Sequence, residues 1–125
     1  MNVILDTHVV LWWLADSREL GVRAREIIAS PTNTVFLSAV VVWETRIKQG
    51  LGKLNVPSDF AAVLEQQAFE KLPISIAHAH EVHALPSHHR DPFDRMLIAQ
   101  AKVEGLTLVT RDPIIAQYAV ACELA

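Results

Sequence analysis

The sequence predicts an α/β protein, specifically a three-layer α/β/α sandwich built around a central parallel sheet. Short apolar segments of strand length alternate along the chain with longer segments of helical spacing, which is the pattern of βαβ units. The chain has 125 residues, a length that suits one domain spanning residues 1–125. A composition of 51% hydrophobic and 20% charged residues is typical of a globular chain and argues against a disordered one.

The predicted strands are short apolar runs bounded by polar or turn-forming residues. Such a run is typical of a strand that is buried on both faces, as strands of a parallel sheet are. Five strands are predicted by this criterion, at 2–5, 34–38, 73–76, 106–110 and 119–121.

The predicted helices are marked by apolar spacing and by capping residues. The clearest begins with Asp91 as N-cap and Pro92 in the first helical position, and it ends at Gly105. Asp112 is followed by proline in the same way, and Ser58 is the N-cap candidate of the helix in the middle of the chain. The other helices are predicted at 8–15, at 18–30, from Ser38 to Gly50 and Gly52, at 56–72, at 77–85 and at 112–118.

Charge, cysteine content and the N-terminus narrow the class of protein. The formal net charge of −3 argues against a uniformly basic surface, but it leaves room for a local basic strip beside an acidic site. A single cysteine, Cys122, excludes an intramolecular disulfide and fits the cytoplasm, where we expect the protein to act. The N-terminal apolar run lacks a basic start and stops at Asp16, so we expect neither a secretory signal nor a membrane span.

Four acidic residues are predicted to converge at one edge of the sheet. Asp6 follows the first strand and Asp112 follows the fourth, and the carboxyl ends of parallel strands meet at one edge. Asp94 lies one turn into its helix on an apolar stripe, while Glu44 lies in an apolar neighbourhood where an uncompensated carboxylate is costly. Helix capping alone would explain Asp6 or Asp112, but it does not explain Glu44.

A cluster of inward carboxylates with no matching buried lysine repels itself, and a hard divalent cation removes that repulsion. Mg²⁺ and Mn²⁺ prefer oxygen ligands and suit such a cluster. A site of this kind can activate water and stabilise the leaving oxygen in phosphodiester cleavage.

Four segments, "ILDTH", "SAVVVWE", "DPFDRMLIAQA" and "LVTRD", resemble in order and spacing those of PIN-domain ribonucleases, and most closely the VapC-type toxins of type II toxin–antitoxin pairs. The resemblance covers nearly the whole chain. It implies a PIN-like form of the sandwich and an endoribonuclease that uses Mg²⁺ or Mn²⁺ to hydrolyse RNA phosphodiester bonds. It also implies a homodimer that is kept inactive by a small antitoxin, whose tail enters the active-site groove.

The resemblance also implies which residues form the site. The acidic quartet of the family falls on Asp6, Glu44, Asp94 and Asp112, and Thr110 matches the hydroxyl position before the last acid. By this resemblance the three aspartates bind the metal directly or through water, and Glu44 orients a water or completes the metal shell.

Basic residues flank the acids and are candidates for contacts with RNA phosphates. Arg46 and Arg95 are the two for which we predict a substrate contact. The alternative is an ordinary solvated face, which we favour for the remaining basic residues, Lys48, Lys53, Arg90 and Arg111.

Two other functions fit parts of the sequence. An aspartate ending the first strand is also the nucleophile of haloacid-dehalogenase-like phosphotransferases, but those need a second aspartate where this chain has His8. The other is a non-catalytic PIN-like binding module, which an intact acidic quartet argues against.

The histidines and the tryptophans have simpler explanations than a second site. No cysteine or HExxH pattern accompanies the histidines, so we expect exposed side chains rather than a zinc site at His78, His80, His83, His88 and His89. The helix that holds Trp12 and Trp13 has no polar face, and we expect one side of it to contact a dimer partner or an antitoxin.

Overall fold

A fully parallel, five-stranded sheet in the order β3-β2-β1-β4-β5 forms the centre of the computed structural model, which describes residues 1–88 and 90–125. Helices flank the sheet, so the predicted α/β/α sandwich is confirmed. The strands are β1 (Asn2–Leu5), β2 (Thr34–Ser38), β3 (Glu70–Leu72), β4 (Thr107–Thr110) and β5 (Cys122–Leu124).

Six α-helices and one short 3-10 helix, at Ile115–Gln117, connect and cover these strands. In the described ranges no helix has the length and apolar character that crossing a membrane requires. The helices are α1 (Thr7–Leu14), α2 (Val22–Ala29), α3 (Ala39–Gly50), α4 (Phe60–Glu65), α5 (Ile76–Ala84) and α6 (Pro92–Glu104).

Strand β1 is the central strand and the most deeply buried. It pairs with β2 on one side, through Val3 and Val35, and with β4 on the other, through Ile4 and Leu108. Its side chains from Val3 to Leu5 are fully buried, as expected for a strand covered on both faces. The residue that follows β1 therefore emerges in the middle of the carboxyl edge of the sheet.

The third and fifth strands lie a few residues away from their predicted positions. The predicted strand at 73–76 is wrong: Pro73 has no N–H to give to a ladder, and the Ser75 side chain caps α5 by accepting from the His78 backbone N–H at 3.1 Å. The strand is instead the short, largely exposed β3, at the edge of the sheet. The last strand is β5, three residues beyond the predicted 119–121.

The helix boundaries confirm the capping argument in part. Asp91 caps α6 by accepting from the Phe93 and Asp94 backbone N–H groups, at 2.9 and 3.0 Å, and Gly105 ends the helix at φ 67°. The predicted helix at 56–72 is only the six residues of α4, with Asp59 rather than Ser58 at the N-cap position. The predicted helix at 112–118 is reduced to the 3-10 turn.

A chain of buried hydrogen bonds, here called the α6 polar network, joins β2, α5 and α6. Gln100 Oε1 accepts from the Ser38 hydroxyl at 2.5 Å, and Gln100 Nε2 lies 3.3 Å from His78 Nδ1. That Nδ1 also accepts from the Ser75 N–H at 2.9 Å, so the ring proton is on Nε2, which donates to Glu104 at 2.9 Å.

The expectation of exposed histidines is wrong for one residue, because His78 is almost fully buried in the α6 polar network. His80, His83 and His88 are exposed, as predicted. His89 lies outside the described residues.

Candidate active site

Asp6 occupies the carboxyl end of β1 and is held by two hydrogen bonds. Its Oδ1 accepts from the Val9 backbone N–H at 2.9 Å and so caps α1, and its Oδ2 accepts a short hydrogen bond from the Thr110 hydroxyl at the end of β4. Burial raises the pKa of the Asp6 carboxyl, and the hydrogen bonds from Thr110 and Val9 offset part of that increase. Asp6 is therefore both a cap and an oriented, buried carboxylate.

Thr110 connects two of the predicted acids. Its hydroxyl donates to Asp6 and accepts from the Asp112 backbone N–H at 3.1 Å. The Asp112 carboxylate in turn accepts from the Ile114 N–H at 2.9 Å, which sets the turn after β4. The threonine thus holds the ends of β1 and β4 in one arrangement.

Glu44 is buried at 2% exposure in the second turn of α3 and has two partners. Its Oε1 accepts from the Thr7 hydroxyl at 2.5 Å, and its Oε2 forms a short ion pair with Lys48, one turn further along α3. Hydrogen bonding to Glu44 raises the pKa of Lys48, which keeps the ammonium group charged.

Asp94 lies in the first turn of α6, where the negative charges of the other acids of the site act on it. Burial raises the pKa of its carboxyl to about 7, and repulsion from Asp91, Asp6, Glu44 and Asp112 adds to this. The four predicted acids are therefore close enough to influence one another, although they come from four separate elements of the chain.

Three of the four acids line one cavity of about 370 Å³. Asp6, Asp94 and Asp112 share it with His8, Trp12 and Arg111. The Arg111 guanidinium lies 4.5 Å from the Trp12 ring centroid and donates to the Ala125 carbonyl at 3.0 Å. Glu44 opens instead into a neighbouring cavity, so the structure separates the quartet into a group of three and a single member.

The donor set fits a hard divalent cation bound partly through water. Its oxygens are carboxylate oxygens, and the raised pKa of Asp94 records a repulsion that a cation would remove. Within residues 1–88 and 90–125, no three acidic, histidine or cysteine side chains are grouped closely enough to share one ion directly. Mg²⁺ usually takes one or two carboxylates and keeps several waters, so it does not require three protein ligands at one point.

The structure gives the two predicted substrate-binding arginines other contacts. The Arg95 guanidinium donates to the Pro86, Val82 and Leu85 carbonyls, at 2.8, 3.1 and 3.3 Å, and so satisfies the C-terminal end of α5. Arg46 donates to Gln49 at 2.8 Å, and its guanidinium lies 5.1 Å from the Phe60 ring centroid.

The sequence argument missed the two partners of Glu44. Lys48 is predicted from the sequence as part of a solvated face, with an RNA contact as the alternative, although a glutamate four residues before a lysine also predicts a helical ion pair. Thr7 gave no such signal, because its contact with α3 depends on how α1 crosses that helix. The expected absence of a matching lysine is therefore wrong for Glu44.

Three comparisons with known proteins agree with this fold. Ribonuclease VapC22 from Mycobacterium tuberculosis is 29% identical over 114 residues, which cover 89% of this chain and 87% of that protein. The structure of VapBC2 from Rickettsia felis, bound to a DNA fragment from its promoter, contains a chain with a TM-score of 0.74, 17% identity and coverage of 100% of this chain and 99% of that one. VapBC-5 from M. tuberculosis, a member of the VapBC family of toxin–antitoxin systems, gives a TM-score of 0.61, 23% identity and coverage of 98% and 96%.

The two structural similarities, at low sequence identity, concern the fold. A family model adds a match in sequence. The model of the PIN domain matches residues 3–121, which include β1, the acidic residues and the turn after β4. This protein therefore belongs to the PIN domain family.

Proposed function

We propose that this chain is a metal-dependent endoribonuclease that hydrolyses RNA phosphodiester bonds and acts as the toxin of a toxin–antitoxin pair. The observation that carries the proposal is that Asp6, Asp94 and Asp112, from three separate elements, line one cavity, where burial and the neighbouring carboxylates raise the pKa of Asp94. Like charges brought together at a sheet edge are stabilised by a divalent ion. PIN-domain nucleases of the VapC kind depend in general on divalent metals, and we propose Mg²⁺ or Mn²⁺ here because all donors are carboxylates.

The residues have distinct roles in this proposal. Asp6 and Asp94 would hold the cation, with Asp112 in the same cavity binding through water. Thr110 keeps Asp6 oriented, and Glu44 holds a water or the outer shell from the neighbouring cavity. When bound, the cation would lower the pKa of water and stabilise charge on the leaving oxygen. Burial of Asp6 and Glu44 keeps the orientation of these two carboxylates from depending on solvent.

The partner follows from the relatives. VapC22 is a ribonuclease, and the solved structures from R. felis and M. tuberculosis are of VapBC assemblies. By analogy, a cognate antitoxin covers the 370 Å³ cavity of this protein. We also propose a homodimer, supported by three exposed apolar side chains spaced four residues apart, namely Trp43 and Ile47 on α3 and Leu51 directly after it.

The same site geometry supports the two alternative functions less well. A phosphotransferase of the haloacid-dehalogenase kind needs a second aspartate two residues after Asp6, and that position is the exposed His8. A non-catalytic binding module has no need for buried carboxylates that destabilise one another.

The test is RNA cleavage by the purified full chain in Mg²⁺, in Mn²⁺ and in EDTA. We expect cleavage with either metal, no cleavage in EDTA, and loss of activity in Asp6→Asn. If the wild-type chain cuts no RNA in either metal, or if Asp6→Asn cuts as well as wild type, the proposed function is wrong. Calorimetry with Mn²⁺ shows whether Asp6→Asn has lost the cation, and circular dichroism shows whether it has lost the fold.

A further inference from the structure

A second cavity of about 230 Å³ adjoins the acidic one. It is lined by Glu44, Lys48 and Lys53, together with Thr7, Leu11, Leu54 and His8. His8 also lines the acidic cavity, so the two share a wall. The volume is below the roughly 300–1,000 Å³ of pockets that enclose a drug-sized ligand, and it suits a single small group.

The backbone conformation at the C-terminal end of α3 brings Lys48 and Lys53 close together. Gly52 adopts a left-handed conformation at φ 71°, and its N–H donates to the Gln49 carbonyl at 3.1 Å. The Lys53 N–H donates to the Lys48 carbonyl at 2.9 Å. These two bonds form a Schellman motif, which places the backbone of Lys53 directly after the last turn of the helix.

The charges of the two cavities are opposite. The acidic cavity has three carboxylates against the one guanidinium of Arg111, whereas the second has two ammonium groups against the carboxylate of Glu44. Lys48 is one-third exposed and uses its ammonium group to pair with Glu44, which leaves further donors for the cavity. Lys53 is exposed, and its side chain forms no ion pair in the part of the chain that the structure describes.

We propose that Lys53, with Lys48 beside it, forms a subsite for one backbone phosphate of the RNA, next to the linkage that is cut at the acidic cavity. This inference rests on the proposed ribonuclease function and adds a position for the substrate. A phosphodiester is the group that meets both demands of the site: it is anionic where the lysines lie, and it is joined covalently to a second phosphate that the cation would hold.

The same geometry favours the lysines over the two arginines first predicted to contact RNA. Arg95 already donates to three carbonyls, and Arg46 is bound to Gln49 and packed on Phe60. Neither arginine lines the acidic cavity or the 230 Å³ cavity.

The first experiment compares Lys53→Gln with wild type in RNA cleavage. We expect KM to rise about two- to fivefold, the range of an exposed ion pair, with kcat unchanged. The ratio of wild-type to variant affinity should shrink by roughly two- to threefold between 50 and 200 mM salt, because one phosphate contact is lost. Lys53→Arg should restore KM. The matched control is Lys102→Gln, which removes one charge about 12 Å along α6 from Asp94 and should leave KM unchanged.

The second experiment identifies the phosphate. A neutral methylphosphonate linkage is moved one position at a time along a short single-stranded RNA. In wild type, we expect a methylphosphonate at one position outside the cut linkage to weaken RNA binding as much as Lys53→Gln does. In Lys53→Gln, a methylphosphonate at that same position should weaken binding no further.

Two outcomes would overturn the subsite. They are an unchanged KM in Lys53→Gln, and additive losses for the variant and every methylphosphonate position. If wild type itself cuts no RNA, the failure belongs to the proposed function and not to the subsite.

Discussion

Two buried polar clusters draw side chains from the same helix, α6, and they are built on opposite principles. Near the end of α6, the α6 polar network matches a donor to an acceptor at Ser38, Gln100 and His78. At the start of α6, Asp94 meets the like charges of Asp6, Glu44 and Asp112. The first cluster pairs donors with acceptors within the protein, whereas the second brings like charges together and raises the pKa of Asp94.

This difference separates structural from functional polar residues. A buried donor that is paired with a buried acceptor contributes about 1 kcal/mol to the free energy of folding and needs no ligand. A carboxylate whose pKa is raised by its neighbours costs stability in the folded state, and such sites are candidates for function. The contrast predicts that changes in the two clusters affect different measurements.

The largest effect is expected for Asp94→Asn compared with Asp91→Asn. Asp94→Asn removes a proposed metal-binding carboxylate, and we expect RNA cleavage to fall about 100- to 1,000-fold, as for the loss of one major electrostatic contact in an active site. Asparagine caps helices as well as aspartate does, so Asp91→Asn should retain most activity. The measurement is kcat/KM under Mg²⁺. Equal losses in both variants would mean that Asp94 acts only through the start of α6.

A smaller effect, on stability instead of activity, is expected for Gln100→Leu. The change leaves the Ser38 hydroxyl and His78 Nδ1 with fewer partners, and we expect the free energy of unfolding to fall by about 1–3 kcal/mol. Urea denaturation gives this value. The control, Gln66→Leu, changes an exposed glutamine and should stay within about 0.5 kcal/mol.

For Gln100→Leu, kcat measured well below the melting temperature should stay close to wild type. A large drop in kcat with an unchanged free energy of unfolding would mean that Gln100 contributes to activity, and it would contradict the contrast between the two clusters.

The third effect, which solvent screening of the half-buried Asp94 reduces, is a pH dependence of stability without metal. The pKa of Asp94 is about 7 in the folded chain and near 3.8 when unfolded, so the unfolded chain loses this proton first as pH rises. The contribution of Asp94 to stability is therefore full below about pH 4 and is lost as pH rises toward 7. In EDTA, the melting temperature of Asp94→Asn should rise relative to that of wild type as the pH increases from about 4 to 7. A constant difference from pH 4 to 7 would contradict the shifted pKa.

Much of the fold could be predicted because local and global signals agree. Strands β1, β2 and β4 are apolar runs buried on both faces, and α6 has a cap, a proline and a terminal glycine in their favoured places. Strand β3 could not be found in this way, since two of its three residues are charged and it lies at the edge, where polar side chains are tolerated.

The site was predictable to a similar degree and for a related reason. Asp6 and Asp112 follow strands, so topology alone brings them to one edge. The contacts of Arg95 could not be predicted, because they depend on where the last carbonyls of α5 come to lie. The burial of His78 likewise depends on the packing of α5 against α6, which capping patterns do not report.

The hydrogen bond from Thr110 to Asp6 joins residues that are 104 positions apart, and this separation has a consequence for how the protein is made. A chain being synthesised contains Asp6 and Glu44 long before Thr110 exists. Closing so long a loop costs chain entropy, which is recovered only when β4 pairs with β1. The nascent chain thus cannot complete the proposed nuclease site until almost all of it has been translated, and a truncated product ending before β4 would be harmless to the RNA around it.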